Sequence, residues 1–257
     1  MGPLPSRALL LGPFLVLVSG CIVIEGPLDC RNREEREVIA PAGPDVRAVE
    51  VHALAGDLSI QGLPGAGEVR ATGVACGRRR RDVETIDLVA RTAGSRVVVE
   101  VEIPEAARRR GARLDLSIAV PPGAALVVTD SSGDVEITGV AAVEIDDASG
   151  DVHLEAIEGD VVVVDRSGDV VAIDIGGAVR VDDDGSGDIE VRGAGAVTIV
   201  ADGSGDIEIH DVVGDVVILD DGSGDIEVTT VGGGLRIDDA GSGDVDHSGV
   251  RGRIEIR

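Results

Sequence analysis

The tripeptide Ser-Gly-Asp recurs seven times in the second half of this 257-residue chain, and its spacing constrains the fold more than any other feature. Successive copies are 17, 18, 19, 18, 19 and 19 residues apart, and they begin at Ser132, Ser149, Ser167, Ser186, Ser204, Ser223 and Ser242. A short regular period of this kind is typical of stacked supersecondary units. We therefore predict an all-β chain whose second half is a parallel β-solenoid (β-helix) with about 18–19 residues per coil.

Each unit contains two short segments in which apolar and polar residues alternate, as strands with one buried face do. The first segments carry the apolar pairs Val135/Ile137, Val152/Leu154, Ile189/Val191, Ile207/Ile209 and Ile226/Val228. The second segments carry Val143/Ile145, Val161/Val163, Val179/Val181, Val197/Ile199, Val216/Ile218 and Leu235/Ile237. Because such short strands cannot bury a face alone, we expect each to pair with its equivalent one coil later, about 4.8 Å away. The outward residues would include Glu136, Glu190, Glu208 and Glu227.

The composition agrees with this architecture. The chain has no Trp or Tyr, and its one Phe is Phe14, so the core must be built from aliphatic side chains. A thin, regular aliphatic core suits a solenoid better than a thick globule. The 37 glycines are concentrated at the regularly spaced turns.

Residues 45–129 lack the tight repeat and are predicted to form a β-rich N-terminal cap with the first coils, ahead of the acidic solenoid at 130–257. Residues 48–62 resemble one degenerate coil, and strands are expected at 114–120 and 126–130, around the turn Pro121-Pro122-Gly123. The last segment, 249–257, carries three arginines on a final strand, which would discourage end-to-end growth.

Residues 1–20 have the features of an export signal. Arg7 precedes an apolar run at 8–18, which is too short to span a bilayer, and Ser19 and Gly20 precede Cys21. This end resembles the bacterial lipoprotein signal, and the resemblance implies cleavage before Cys21 and acylation of that residue. Ile22, in place of Asp, favours the outer membrane under the enterobacterial sorting rule. We expect residues 21–44 to be the lipidated cysteine and a tether. The alternative is an ordinary secretory signal with a chance cysteine.

Two cysteines remain, Cys30 and Cys76, and an even pair in an exported protein is a candidate disulfide. The alternative is two free thiols.

The negative charge is confined to one part of the chain. Residues 21–129 hold 16 acidic residues and 15 arginines, whereas residues 130–257 hold 32 acidic residues and 7 arginines. An acidic surface repels nucleic acid and anionic membrane and attracts cationic partners, although solubility alone would also explain it. Arginine clusters at 78–81 and 108–110 form either solvated loops or contacts with lipid headgroups or with an acidic neighbour.

The aspartates of the repeat should form a column of like charges, which needs compensation. Its members are Asp134, Asp151, Asp169, Asp188, Asp206, Asp225 and Asp244. One alternative is hydrogen bonding from the N–H groups of the turns. The other is Ca²⁺ held by these carboxylates with help from the acids that precede them. The EF-hand pattern does not fit, because Gly193 stands where the bidentate Glu would be required.

No constellation of residues indicates catalysis. The four histidines are far apart in the sequence, and neither a nucleophile elbow nor a Cys-His pair is present. A polysaccharide-cleaving β-helix would need a groove with acids and arginines, usually with aromatic residues for the sugar. The sequence therefore predicts a non-enzyme, with no cofactor apart from the calcium alternative.

The run from Asp115 to Val140, which leads through a Pro-Gly turn into the Ser-Gly-Asp strands, resembles the bacterial "putative adhesin" β-solenoid domain of unknown function, related to LiaG-like and head-domain repeats. The resemblance covers roughly residues 45–257, and it implies a β-helix fold and an adhesive role without catalytic residues. We expect a lipid-anchored cell-envelope protein with an adhesin-like or scaffold role. The alternatives are a periplasmic envelope-stress or regulatory accessory that binds a partner protein, and a polysaccharide-active enzyme.

Overall fold

A computed structural model describes residues 30–43 and 46–257, and in this part of the chain almost all regular structure is β. The expected signal segment and Cys21 lie outside the described residues. The strands are β1 Asn32–Pro41, β2 Ala48–His52, β3 Leu58–Gly62, β4 Glu68–Gly77, β5 Asp87–Ala93, β6 Arg96–Glu102, β7 Arg113–Val120, β8 Ala125–Thr129, β9 Val135–Thr138, β10 Ala142–Asp147, β11 Val152–Ile157, β12 Val161–Asp165, β13 Val170–Asp184, β14 Ile189–Ile199, β15 Ile207–Val212, β16 Val216–Ile218, β17 Ile226–Val231, β18 Leu235–Ile237, β19 Val245–Ser248 and β20 Ile254–Ile256. The helices are α1 Arg80–Val83 and α2 Glu105–Arg108.

The predicted parallel β-solenoid is confirmed. Each strand pairs in parallel with its equivalent one coil later, so that Ile189 lies beside Ile207 and Ile207 beside Ile226. The strands of one main face follow the order β6, β2, β8, β10, β12, β13, β14, β16, β18 and β20. Those of the other follow β7, β3, β9, β11, β13, β14, β15, β17 and β19, because β13 and β14 turn a corner and contribute to both faces.

The core is the aliphatic ladder that the alternation predicts. Every apolar pair named for the two segments of each coil is buried between the faces. The intervening residues are exposed or half-buried, as Glu136 and Glu208 are. A period-2 pattern can place one face inward only if the register is kept, and the apolar pairs keep it from coil to coil. The register shifts only outside these pairs, after Val163 and between Ile175 and Ala178.

Two columns of unusual backbone conformation form the corners. The glycine of each Ser-Gly-Asp from Gly133 to Gly224 has a positive φ, and a Cβ there would collide with the glycine carbonyl of the preceding coil. A second left-handed residue occurs once per coil, at Gly139, Ala156, Asp174, Gly193, Asp211, Thr230 and Gly249. Glycine adopts this conformation without strain and aspartate tolerates it, so the backbone strain falls mainly on Ala156 and Thr230.

The N-terminal region, expected to be a β-rich cap, is rich in strands, but its coils do not follow the order of the chain. Strands β2 and β3 are covered on one side by β6 and β7, which come later in the sequence, and on the other side by β8 and β9. The turn Pro121-Pro122-Gly123 therefore carries the chain from the outer coil past the first one. Antiparallel strands complete the cap, with β5 against β6, and β4 between β1 and β7.

The expectation that residues 21–44 form a tether is wrong for most of the described residues in that range. Residues 32–41 form β1, which pairs with β4 over its whole length from Asn32 to Pro41. Its side chains alternate between exposed and half-buried positions, and only Ala40 is fully buried. Strand β1 is thus an edge strand held by backbone pairing, which explains why its charged sequence gives little apolar signal.

The far end consists of β19 and β20, whose side chains are mostly exposed. Ile254 and Ile256 are each about two-fifths exposed, at 42% and 41%. Within the described ranges, no helix is long and apolar enough to cross a membrane.

Candidate functional site

The seven predicted aspartates lie in one column, and each is linked to the next by a hydrogen bond. From Asp151 onward, the backbone N–H of each aspartate donates to Oδ1 of the aspartate one coil earlier, at 2.8–3.2 Å. The column extends into the cap, where Asp134 N–H donates to Oδ1 of Asp57 at 3.4 Å. An N–H group aimed at each carboxylate offsets the repulsion between stacked charges. This geometry favours the hydrogen-bonding alternative for these residues.

A second column of six aspartates, the buried column, lies inside the solenoid two residues before each serine of the repeat. Its members are Asp130, Asp147, Asp165, Asp184, Asp202 and Asp221. Each is at most 3% exposed. Consecutive members are in direct register, as Asp147 and Asp165 are in the pairing of β10 with β12, so their carboxyl groups are stacked about 4.8 Å apart.

The carboxyl groups of the buried column are poorly satisfied. Ala148 N–H donates to Oδ1 of Asp147 at 2.8 Å, and Ser167 N–H donates to Oδ1 of Asp165 at 3.2 Å. Both oxygens of Asp130, Asp184, Asp202 and Asp221, and the second oxygens of the other two, have no hydrogen-bond partner. In those four coils, backbone N–H groups of the turn that follows lie near the carboxyl group and lower its pKa. Their geometry falls short of a hydrogen bond.

Burial is the main cause of altered titration in this column. It raises the pKa of Asp130, Asp184 and Asp202 to about 7, and that of Asp165 and Asp221 to about 6. The pKa of Asp147 is also raised by burial. Neighbouring members add to the effect, since the charge of Asp202 raises the pKa of Asp184 and that of Asp221 raises the pKa of Asp202. A buried carboxyl beside another is expected to behave in this way.

Sequence reasoning missed the buried column, although a signal is present. The full repeat is Asp-x-Ser-Gly-Asp in six copies, and alanine replaces the first Asp in the seventh copy, at Ala240. At the other end, the equivalent position in the first coil is Ala53, whose N–H donates to the carbonyl of Thr129. The column of acids is therefore bounded by alanine on both sides. The repeat predicts that preceding acids such as Asp147 assist the outer turn, whereas the side chain of Asp147 is buried inside the solenoid.

On the outer surface, eight carboxylates form a continuous patch, which we call the acidic plate. It consists of Asp188, Glu190, Asp206, Glu208, Asp225, Glu227, Asp244 and Asp246, which alternate with inward residues on four successive coils. Spacings of about 4.8 Å between coils and about 7 Å along each strand follow from the geometry of β-sheets. The predicted outward Glu136 lies apart from the plate, because His153 and Val171 occupy the two intervening coils.

The cap brings together the predicted cysteines and both arginine clusters. Cys30 and Cys76 are joined in a disulfide, with their Cα atoms 5.5 Å apart. Arg110 links α2 to α1, because its Nε and Nη2 donate to the two oxygens of buried Asp82 at 2.9 and 2.6 Å. These hydrogen bonds hold the pKa of Asp82 below its usual range. Exposed arginines surround this link, at Arg78, Arg79, Arg80, Arg81, Arg108 and Arg109.

Nothing in the described residues resembles a catalytic centre. They contain no group of three or more His, Cys, Asp or Glu side chains placed to hold a metal ion. A surface depression of about 640 Å³ is lined by one carboxylate, Asp211, and one arginine, Arg251, beside apolar residues such as Val213. A smaller depression of about 150 Å³ lies on the acidic plate, between Asp188, Glu190 and Glu208. Its lining holds carboxylates and no histidine or arginine. Beside it, Arg192 pairs with Glu190 at 2.8 Å, and Nε2 of His210 lies 3.8 Å from the carboxylate of Glu208.

Stacked parallel coils with an aliphatic interior and a regular acidic exterior define a parallel β-solenoid protein. The chain belongs to the family described as Toastrack DUF4097, which it matches over residues 19–203. None of the curated proteins matches it.

Solved structures share the fold at low sequence identity. One is a "putative adhesin" from Bacteroides fragilis NCTC 9343, with 18% identity and a TM-score of 0.52, covering 89% of this chain and 99% of its own. Another is a "putative lipid binding protein" from Parabacteroides distasonis ATCC 8503, with 16% identity and a TM-score of 0.52, covering 87% of this chain and 97% of its own. At these identities the likeness establishes the fold alone.

Proposed function

We propose that this protein is a non-enzymatic, exported lipoprotein that acts as an adhesin-like or scaffold component of the cell envelope. The observation that carries the proposal is the acidic plate, a rigid array of eight outward carboxylates on a hydrogen-bonded solenoid. Such an array attracts a cationic surface or protein over a distance set by the ionic strength. The description of a structural neighbour as an adhesin is consistent with this role.

The proposed anchor is the acylated Cys21, in the outer membrane. Cys30 lies nine positions after Cys21, and a chain of nine residue steps reaches at most about 32 Å. The disulfide ties Cys30 to the cap, immediately before the exposed arginines that begin at Arg78. We therefore place the cap beside the membrane, where these arginines would meet anionic headgroups, and the acidic coils away from it, where like charges repel least.

The first test is the location of the protein on cells. Antibody against the solenoid should bind intact cells as well as permeabilised cells, and C21S should release the protein from the membrane fraction. Binding only after permeabilisation would contradict a surface role. It would favour the second candidate, a periplasmic envelope-stress or regulatory accessory that binds a partner protein.

The second test addresses the acidic plate directly. Cells that display E190Q/E208Q/E227Q should adhere less to a polylysine-coated surface than wild-type cells, and the difference should shrink as salt is raised. The matched control, E144Q/E155Q/E158Q, removes three exposed carboxylates outside the plate. Equal loss of adhesion in both variants would show that net charge is responsible and that the plate is not a specific surface.

A specific observation supports the partner-binding candidate. Strand β20 pairs with β18 along one edge, and no other described strand pairs with its second edge. Its side chains include the partly exposed Ile254 and Ile256. An open edge of this kind can accept a strand from another protein. Introduction of negative charge by I254D/I256D would abolish such binding while leaving adhesion to polylysine unchanged.

A further inference from the structure

The buried column of aspartates, from Asp130 to Asp221, is not explained by the turn hydrogen bonds or by the surface role. Ten of its twelve carboxyl oxygens have no hydrogen-bond partner. An ionised carboxylate buried without a partner is strongly unfavourable, and six of them stacked one above another would also repel each other. The solenoid therefore needs something that neutralises part of this column.

No protein cation can do so. Among the described residues, no arginine or histidine is buried. Arg166 lies near the column, but its Nη1 donates to the carboxylate of Asp146 at 2.8 Å and to the backbone carbonyl oxygen of Asp147 at 3.0 Å, so it does not bond to a carboxyl group of the column. The other charged groups that act on the column are all acidic, and they disfavour ionisation further: Asp146, Asp151, Asp169, Asp188, Asp206, Asp220 and Asp239.

A metal ion is also a poor fit. Calcium takes six to eight oxygen ligands, whereas the described residues contain no group of three or more carboxylates or other side-chain ligands converging on one point. The unpartnered oxygens are enclosed by the packed core. Protons, by contrast, need no extra space and turn one carboxyl of a pair into a donor for the other.

The stacking supplies the geometry for such sharing. Backbone hydrogen bonds hold consecutive members of the column in register, since Gly203 N–H donates to the carbonyl oxygen of Asp184, and Gly222 N–H to that of Asp202, both at 2.8 Å. At the first step, the side chains of Asp130 and Asp147 are close enough to hydrogen-bond when Asp130 is protonated, which raises the pKa of Asp130.

We propose that the buried column is a proton-binding site, in which protonated carboxyl groups donate hydrogen bonds to ionised neighbours along the solenoid axis. Each bound proton comes from solvent and bonds to one carboxylate oxygen, so the column gains one positive charge per proton and no other bond changes. The folded solenoid consequently holds protons that the unfolded chain releases, and mild acid stabilises it.

The direction of the pH effect follows from the pKa values. Unfolded aspartates have a pKa near 3.8, whereas that of Asp184 and Asp202 in the folded chain is about 7. Between these values the folded protein binds more protons than the unfolded chain, so its stability falls as the pH rises. The stabilisation is complete below about pH 4 and is lost as the pH passes through about 7.

The test compares unfolding by urea at pH 5.5 and pH 8, followed by far-ultraviolet circular dichroism. In D184N/D202N, two members carry a neutral amide of the same shape at every pH. From pH 5.5 to pH 8, the equilibrium constant for unfolding should rise at least about 100-fold more in the wild type than in the variant. A factor of about 100 corresponds to a difference of about one pKa unit between the folded and unfolded states for each of the two residues. The control D174N/D211N removes two exposed carboxylates at the opposite corner and should keep the wild-type dependence. Equal pH dependence in wild type and D184N/D202N would overturn the proposal.

A direct measurement on the wild-type protein does not depend on the folding of the variants. An infrared carbonyl band of protonated carboxyl groups at pH 6 should be present in the wild type, weaken in D184N/D202N, and disappear above pH 8. Its absence at pH 6 would refute proton binding. A second result would also refute it: CaCl₂ at pH 7.5 raises the melting temperature of the wild type but not that of D184N/D202N. A metal ion would then neutralise the column.

Discussion

The backbone N–H of Asp206 donates to Oδ1 of Asp188 at 2.8 Å, so the aspartate of one Ser-Gly-Asp turn holds the turn of the next coil. The same hydrogen bond recurs in each neighbouring coil, at 2.9 Å from Asp188 to Asp169 and from Asp225 to Asp206. The repeat is therefore a structural link between coils as well as a turn. A charged acceptor gives a stronger hydrogen bond than a neutral one.

Replacement of this acceptor should weaken the solenoid. D188A leaves the N–H of Asp206 without its partner, and we expect the free energy of unfolding to fall by about 1–3 kcal/mol. D188N keeps an Oδ1 acceptor and should lose less. The control is D244A, because no described N–H donates to the carboxylate of Asp244, the last in the column. Urea unfolding monitored by circular dichroism would compare the three variants, and equal losses in D188A and D244A would contradict this account.

The glycine before each of these aspartates should be even less tolerant. Gly205 has φ +148°, and a Cβ there would collide with the carbonyl oxygen of Gly187 in the preceding coil. We expect G205A to lose at least about 3 kcal/mol or to fail to fold, because the backbone of two coils must separate. G123A is the matched control, since a Cβ at Gly123 meets no atom within 4 Å. Soluble yield and melting temperature would distinguish them.

The sequence predicts the repeated coils well because the pattern that specifies each coil lies within a short stretch of the chain. The spacing of Ser132, Ser149 and the later copies sets the coil length, and the alternation in segments such as Ile207–Glu208–Ile209 assigns each side chain to a face. Burial then follows position by position. The order of the first coils depends instead on which distant strands pair, and no local pattern indicates that β6 comes to lie beside β2.

The candidate site was only partly predictable. The outer column from Asp134 to Asp244 is evident from the repeat, but an aspartate beside a glycine-rich turn normally faces solvent, so the inward orientation of Asp184 or Asp202 contradicts its residue type. The left-handed corner is hidden for another reason. Its occupants Ala156, Asp174 and Thr230 share no side-chain chemistry, and the conformation is imposed by the coils on either side.

The disulfide should hold the edge strand β1 on the cap. Cys30 and Cys76 close a loop across 46 positions of sequence, and in the chain-entropy model such a cross-link contributes on the order of 4 kcal/mol. We expect C30A/C76A to melt at a lower temperature and to exchange the amide hydrogens of residues 32–41 faster than those of the solenoid. Reduction with dithiothreitol should reproduce the effect in the wild type and have none in the variant. Unchanged exchange in β1 would show that pairing with β4 alone is sufficient.

Thr230 tests the strain of the left-handed backbone. Its replacement by glycine, unlike the substitutions above, should stabilise the protein. Thr230 is exposed and has φ +58°, a conformation that costs a β-branched residue about 1–2 kcal/mol more than glycine. Glycine adds unfolded-state entropy, so we expect T230G to gain about 0.5–1 kcal/mol in the free energy of unfolding. The neighbouring Thr229 lies in the same strand, without a positive φ, and its hydroxyl oxygen lies 2.5 Å from Nδ1 of His210. T229G should therefore destabilise the protein, and urea unfolding of the two variants side by side would give opposite shifts. If T230G were also destabilised, packing at this corner would outweigh the strain of the left-handed backbone.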